Sequence, residues 1–424
     1  MDELAAKGAA TGADAGLALI LPRSRQEAGQ AIAGVSAAAR ILIQAGEAGL
    51  SRAWVALEPC DDLPTQVAQE LKRAHCRIQV AWIAPAAAAE RLADQTGGFL
   101  VLSCRDLVMA AGVRRLRGQT APAVLDGGSG PVAALVDGAT AARIVLDPPA
   151  LTAMQGQWIS LLGPEHVPLD RPGRATREIV RTTVKPNDGV VSRLINRPIS
   201  QQISSVLFAV PGVRPGHVTA VTAALGVLMF VALVFGGAPG LALGGVLFQA
   251  ASILDGVDGE LARAAYRTSV KGGTADAAVD MITNLAFVLG LTIGLYRVEG
   301  PIYGVIGAVD FGGFALGIGI LAVYARHHDG EFDMVKDYYD RVIRGDGPRR
   351  VYEVLKAMMS RDFFALVFAL LCVLGLGRMI PWMFGLAAGF WLLLVLFALP
   401  GMSATLRTAA APSSAREPTI ATDG

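Results

Sequence analysis

The chain reads as an α/β doubly wound N-terminal domain followed by an all-α domain of six membrane spans, and three observations point there. The 424 residues are 53% hydrophobic but only 17% charged, with a mean hydropathy of +0.47; a soluble chain of this size carries more charge. The apolar excess is confined to residues from about 213 onward. Residues before about 200 instead alternate short apolar runs with helix-like runs, the pattern of a mostly parallel sheet. A net charge of +1 argues against a broad nucleic-acid surface. The four cysteines, Cys60, Cys76, Cys104 and Cys372, form no CxxC or His/Cys grouping, so a reducing compartment and no zinc are expected. Met1-Asp2-Glu3-Leu4 places acids where a signal peptide has its basic start, which leaves the first domain in the cytoplasm.

Taken in order, Leu17–Leu21 reads as a buried strand, residues 34–49 as an amphipathic helix ending at Gly49, and Trp54–Leu57 as the next strand. A helix over 64–75, a strand over Ile78–Ile83, a helix over 86–95 and a strand over Phe99–Leu102 follow. Shorter apolar segments lie at Ala123–Leu125, Val132–Leu135 and Ile144–Leu146. Gly127-Gly128-Ser129-Gly130 lacks the Lys-Ser/Thr of a phosphate loop and reads as a turn.

The first strand, the helix entered through Gly34-Val35 and the run Phe99–Ser103 resemble the sugar-nucleotidyltransferase fold, in particular inositol-phosphate cytidylyltransferase domains, over about residues 15–170. That family follows its first strand with a Gly-rich phosphate loop; here the loop is Pro22-Arg23-Ser24-Arg25-Gln26-Glu27. Where the family has a magnesium-binding Gly-Asp pair, this chain has Ser103-Cys104-Arg105-Asp106. The resemblance thus implies a catalytically degenerate domain over residues 1–170.

Residues 171–212 are expected to be a linker and a juxtamembrane helix. Over 188–208, Val190, Val191, Leu194, Ile195, Ile199 and Ile203 share one side, with Arg193, Asn196 and Arg197 among the polar positions. Such a helix suits a membrane surface or a soluble domain's flank. Six apolar stretches follow in residues 213–402, near 216–236, 239–260, 275–295, 302–324, 362–379 and 381–400. Arg263, Arg267 and Lys271 lie between the second and third. Arg326, Lys336, Arg341, Arg344, Arg349, Arg350, Lys356 and Arg361 lie between the fourth and fifth. The positive-inside rule puts these loops, the N-terminal domain and the C-terminus in the cytoplasm, in a protein of the cell (inner) membrane. Residues 403–424 read as a disordered tail.

One pattern carries chemistry. Asp255, Asp258, Gly259, Ala262, Arg263, Gly272, Asp276 and Asp280 form D-x2-D-G-x2-A-R-x8-G-x3-D-x3-D across the ends of two adjoining spans. Asp255 and Asp258 share one helix face, as do Asp276 and Asp280, so the faces can converge at the membrane edge. Four carboxylates there cannot all stay ionised unaided, and divalent cations would neutralise them. An EF-hand is excluded, because Tyr266 stands where its closing Glu belongs. A cation transporter stays open as the non-enzyme alternative, although its acids belong nearer the bilayer midplane.

These eight residues resemble the signature of the CDP-alcohol phosphotransferases, and the resemblance covers about residues 188–400. It implies that Asp255, Asp258, Asp276 and Asp280 hold two Mg2+ or Mn2+ ions and that Asp280 is the catalytic general base. Asp255, Gly259, Ala262, Arg263 and Gly272 would border the CDP, an acceptor hydroxyl would attack the β-phosphorus, and CMP would leave. A homodimer and no nucleic-acid partner are expected with it. Arg214-Pro215-Gly216-His217-Val218-Thr219 stands where many relatives have Thr-Pro-Asn, without its asparagine, and Met281 stands where many relatives have arginine. Arg326, in Tyr324-Ala325-Arg326-His327-His328, is the candidate for an acceptor phosphate, or else an inside-positive anchor. Two donors stay open, a CDP-inositol type favoured by the first domain and CDP-diacylglycerol.

Overall fold

The computed structural model describes residues 16–325 except 59–61, 129, 155, 162–164 and 186–187, and residues 339, 342–343, 345–358 and 360–409. Two compact units emerge, one of Met1–Pro186, Pro198–Val218 and Gly256–Gly273, the other of Asn187–Arg197, Thr219–Asp255 and Thr274–Gly424.

In the first unit the order is β1 (Leu17–Leu21), α1 (Arg25–Gly29), β2 (Ala31–Ile32), β3 (Val35–Ser36), α2 (Ala37–Glu47), β4 (Arg52–Ala56), α3 (Asp62–Arg73), β5 (Gln79–Ile83), α4 (Pro85–Ala93) and β6 (Phe99–Ser103). Then come β7 (Asp106–Val108), α5 (Ala110–Arg117), β8 (Ala123–Asp126), β9 (Pro131–Val136), α6 (Gly138–Leu146), β10 (Gln157–Ser160), β11 (His166–Pro168) and α7 (Pro172–Arg181). Seven strands form one sheet in the order β10-β8-β9-β6-β1-β4-β5. Only β9 runs antiparallel to its neighbours.

Strand β1 is apolar at every position because both its faces are covered. Ala18 and Ile20 join a core with α2, α3 and α5 residues such as Leu42, Leu71 and Val113. Leu19 and Leu21 join a separate core with Leu92 of α4 and Ile144 of α6. Each fully buried Leu or Ile there contributes about 1.5–3 kcal/mol.

Details of the sequence reading shift for local reasons. The helix expected from residue 34 starts only at Ala37, because Ala33 (φ 46°) and Gly34 (φ 75°) turn the chain into the β2–β3 hairpin. Ser36 then caps α2, its Oγ accepting from Ala39 N at 3.4 Å. Ile144–Leu146 closes helix α6. Between β8 and β9, Gly127 N donates to Gly130 O at 3.0 Å.

Gly138 opens α6 where a Cβ would run into the main-chain oxygens of Leu92 and Gln95. Carbonyls at a helix end cannot step aside as a flexible side chain can. Gly138→Ala is therefore expected to destabilise the domain by about 2–3 kcal/mol, the upper end of the overpacking range, read as a lower urea midpoint of the full-length protein. An unchanged midpoint would refute the close approach.

The second unit is helical. Pro215–Phe235, Gly237–Ala264, Val270–Glu299 and Gly377–Ala398 are long and apolar enough to cross a membrane. Met229, Leu233, Phe248, Phe287, Leu291 and Phe368 form its core, with Phe248 and Phe287 stacked at 4.1 Å. Gly245 lets helices approach, since a Cβ there would lie 3.2 Å from Ala369 Cα.

Of the six expected spans, four are present at full length among the described residues, and Pro301–Ala325 is a fifth apolar helix. The span expected over 362–379 is not seen at full length among the described residues. Helix Arg361–Val373 has 13 residues, about 20 Å at 1.5 Å per residue, against a hydrocarbon core of about 30 Å. Gly375 ends it at φ 71°, where Leu376 N donates back to Leu371 O at 2.7 Å and Gly375 N to Cys372 O at 3.2 Å. This is a Schellman stop. The last helix, Ile380–Ala409, runs past the expected domain end at 402, and residues 410–424 lie outside the described ones.

The juxtamembrane stretch is π-helical over Ser192–Asn196 and α-helical over Arg197–Leu207. It buries polar residues, Asn196 and Arg197 among them, and exposes Val190, Leu194 and Ile199. Inside-out amphipathicity of this kind suits a helix whose apolar face meets lipid.

Candidate active site

In the helical unit one guanidinium gathers two of the expected acids. Asp255 sits toward the C-terminal end of Gly237–Ala264 and Asp280 in the third turn of Val270–Glu299. Arg361, first residue of Arg361–Val373, bridges them: its Nη1 lies 3.1 Å from Asp255 Oδ2 and is also paired with Asp280 Oδ1. All three side chains are mostly buried, Arg361 at 19% exposure and the two acids near 30%. A charge triangle of this kind needs a rigid frame, and Asp362 supplies it. Its Oδ1 accepts from Ser252 Oγ at 2.9 Å and Asn196 Nδ2 at 3.0 Å, while Asn196 Oδ1 accepts from Gln249 Nε2 at 2.8 Å. Asp188 and Arg197 close a two-bond ion pair beside it, at 2.8 and 3.0 Å. Asp362 also favours the first turn of its helix, where the dipole attracts negative charge.

Asp276 lies one turn before Asp280 on the same helix, and Asp258 one turn beyond Asp255 on the other, buried at 4% exposure. Among the described residues no three His, Cys, Asp or Glu side chains are gathered closely enough to hold a metal ion. The donor set nonetheless suits a hard cation. Carboxylate oxygens are what Mg2+ and Mn2+ select, and Asp255 and Asp280 already share one positive group. Arg326 lies outside the described residues.

Asp258 and the rest of the signature belong to the first unit. Arg263 Nε donates to Thr183 O at 2.9 Å. Gly259 makes room for that side chain, since a Cβ there would fall 2.8 Å from Arg263 Nη1. Gly272 is the third residue of its helix, its N–H donating to the Ser269 Oγ cap at 3.0 Å. Ala262 accepts at its main-chain oxygen from Arg267 N at 2.7 Å, and Tyr266 N donates to Arg263 O at 3.2 Å. Those two bonds are the Schellman end of a helix, but the residue in the left-handed position is Tyr266 (φ 51°) rather than glycine. A side chain there costs roughly 1–2 kcal/mol.

Two buried charges in this unit were not singled out by the sequence reading. Glu260 is fully buried and accepts from Ser200 Oγ and Ser204 Oγ, both at 2.6 Å. Arg40 of α2, 2% exposed, donates to Ile32 O, Ala33 O and Ala264 O at 2.8, 3.0 and 2.6 Å. Burial pulls its guanidinium down to about 10. A Ser pair four apart facing Glu260 was the one signal available for the first; Arg40 gave none.

In the separate two-stranded sheet of β7 and β11, the acid expected to be displaced is engaged: Asp106 Oδ1 pairs with His166 Nε2 at 2.8 Å. Loop residue Ser24 caps helix α1, accepting from Glu27 N at 3.2 Å.

Comparison with known proteins meets this geometry in the helical part. The CDP-alcohol phosphatidyltransferase family model matches residues 213–383. "Bifunctional IPC transferase and DIPP synthase" of Thermococcus kodakarensis is 42% identical over 132 residues, 31% of this chain and 28% of that relative. The proteins of the same name from Aquifex aeolicus and Archaeoglobus fulgidus are each 40% identical, over 139 and 116 residues, or 32% and 27% of this chain and 30% and 22% of theirs. Each match spans less than a third of the relative's length. All eight signature positions fall inside the matched segment, and the C-terminal part of the chain carries a CDP-alcohol phosphatidyltransferase domain over residues 213–383.

Proposed function

We propose that the protein transfers a phospho-alcohol from a CDP-alcohol to an acceptor hydroxyl. The observation that carries this reading is the meeting of Asp255 and Asp280, on two helices of the matched domain, around a single positive group. Asp280 takes the proton of the acceptor hydroxyl. The hydroxyl oxygen bonds to the β-phosphorus, the bond from that phosphorus to the bridging oxygen breaks, and CMP leaves with the electron pair. Arg263, seated by Gly259 and Thr183 O, faces the CDP together with Ala262 and Gly272. Two Mg2+ or Mn2+ ions, held by Asp255, Asp258, Asp276 and Asp280, would supply positive charge to the pyrophosphate oxygens. Arg326 is assigned to the acceptor's phosphate.

A CDP-inositol type donor is favoured, on the resemblance of the first domain and the names of the relatives. That domain makes no donor of its own in this reading, because Asp106 is committed to His166 and a capped helix occupies the phosphate-loop position. The protein is integral to the inner membrane, with the first domain, the site and the C-terminus cytoplasmic, and it acts as a homodimer.

The test is CMP release by purified protein with Mn2+ or Mg2+, given CDP-inositol or CDP-diacylglycerol and either inositol phosphate or a polar alcohol as acceptor. CMP from CDP-inositol is expected, with no CDP-inositol formed from CTP. Release from CDP-diacylglycerol alone would move the donor to a lipid, and no release from any CDP-alcohol would falsify the transferase reading.

A further inference from the structure

The end of the second span and the turn after it are embedded in the α/β domain. Ala264 lies in the same core as β1 and α2, with Phe208 and Tyr266 packed against it. Arg40 caps the Ala264 carbonyl at 2.6 Å, and its guanidinium carbon lies 5.6 Å from the Tyr266 ring centre. Gln44 Nε2 donates to Tyr266 Oη at 3.2 Å, while Gln44 Oε1 accepts from Ala110 N at 2.8 Å and so anchors that contact to α5. Tyr266 sits in a left-handed conformation that its type disfavours, and such residues persist where their surroundings over-determine them. Here the surroundings come from the N-terminal domain. Two main-chain bonds then fix the neighbours: Tyr266 N to Arg263 O and Arg267 N to Ala262 O. Thr183, following α7, holds the Arg263 side chain itself.

We propose that the N-terminal domain, having lost catalysis, serves as the positioning element of the donor loop: Arg40 and Gln44 clamp Tyr266 and thereby aim Arg263 at the CDP. Arg40 and Tyr266 are positioning residues, acting through Arg263. This rests on the transferase reading above. It accounts for Ala264 lying in the α/β core, and for an arginine buried against its carbonyl rather than a smaller apolar side chain.

The experiment measures donor and acceptor KM, kcat and amide exchange over residues 261–267 in full-length protein. Arg40→Met and Tyr266→Gly are each expected to raise the donor KM about tenfold with the acceptor KM unchanged, as a misaimed group does. Both should speed exchange at those amides. Tyr266→Gly guards against misfolding, because glycine adopts the left-handed cap freely. Arg40→Lys is expected not to rescue, since an ammonium lacks the planar fork that reaches several carbonyls. Normal donor KM and exchange in the folded fraction of Arg40→Met and Tyr266→Gly would overturn the clamp while leaving the transferase reading intact. Absence of CMP release by the wild type would instead remove both.

Discussion

Asp280→Asn is expected to slow CMP release by at least about 10³-fold. Loss of a positioned base alone costs about 10²–10⁴, and the same change removes a carboxylate from the cation-binding set. Asparagine keeps the volume and one carbonyl oxygen, so the helix packing around Phe287 and Leu291, about two and three turns further along, is left alone. Arg361 keeps Asp255 as its partner. Folding, judged by the thermal midpoint in detergent, should therefore change far less than rate. Donor KM separates two ways of losing activity: a base acts in the transition state, so kcat falls with KM nearly constant. Activity within tenfold of wild type would contradict the assignment of Asp280.

Much of this was legible in the sequence because it is local. Strand β1 announces itself by five consecutive apolar residues, and a strand covered on both faces has no reason to alternate. The acids at 255, 258, 276 and 280 stand out because charge at the end of an apolar run is rare and helical spacing shows which share a face. What was not legible is non-local. Arg361 read as one more positive charge in a basic loop, since nothing near it in sequence names Asp255 and Asp280 as its partners. Asn196 and Arg197 read as the wet side of an amphipathic helix, whereas the structure buries them against Ser252, Gln249, Asp188 and Asp362. Polarity alone does not say whether a polar face meets water or other polar groups. The shortness of helix Arg361–Val373 has a similar cause: hydropathy averages across Gly375, but backbone conformation does not.

Arg361→Ala should destabilise the helical unit in EDTA and do so less once a divalent cation is supplied. The guanidinium is the positive charge printed on the geometry of Asp255 and Asp280, and its removal leaves two carboxylates facing one another. Breaking a fully buried ion pair costs 3–5 kcal/mol. With these side chains 19–31% exposed, solvent screening reduces that to about 1–3 kcal/mol. The expected fall in thermal midpoint is roughly 2–12 °C, at 2–4 °C per kcal/mol for a unit of this size. Mn2+ should then raise the midpoint of the variant more than that of the wild type. In the wild type any cation reaching Asp255 and Asp280 must displace a guanidinium, whereas in the variant the carboxylates are already vacant and mutually repelled. Titration of the midpoint with Mn2+ reads the difference directly: the variant's half-effect concentration is expected about tenfold lower, equivalent to 1.4 kcal/mol. Arg361→Lys should fall between, a single compact ammonium holding one carboxylate better than two. Equal Mn2+ responses in wild type and variant would mean that Arg361 and the cation occupy different places, and that the acids hold metal without the arginine leaving.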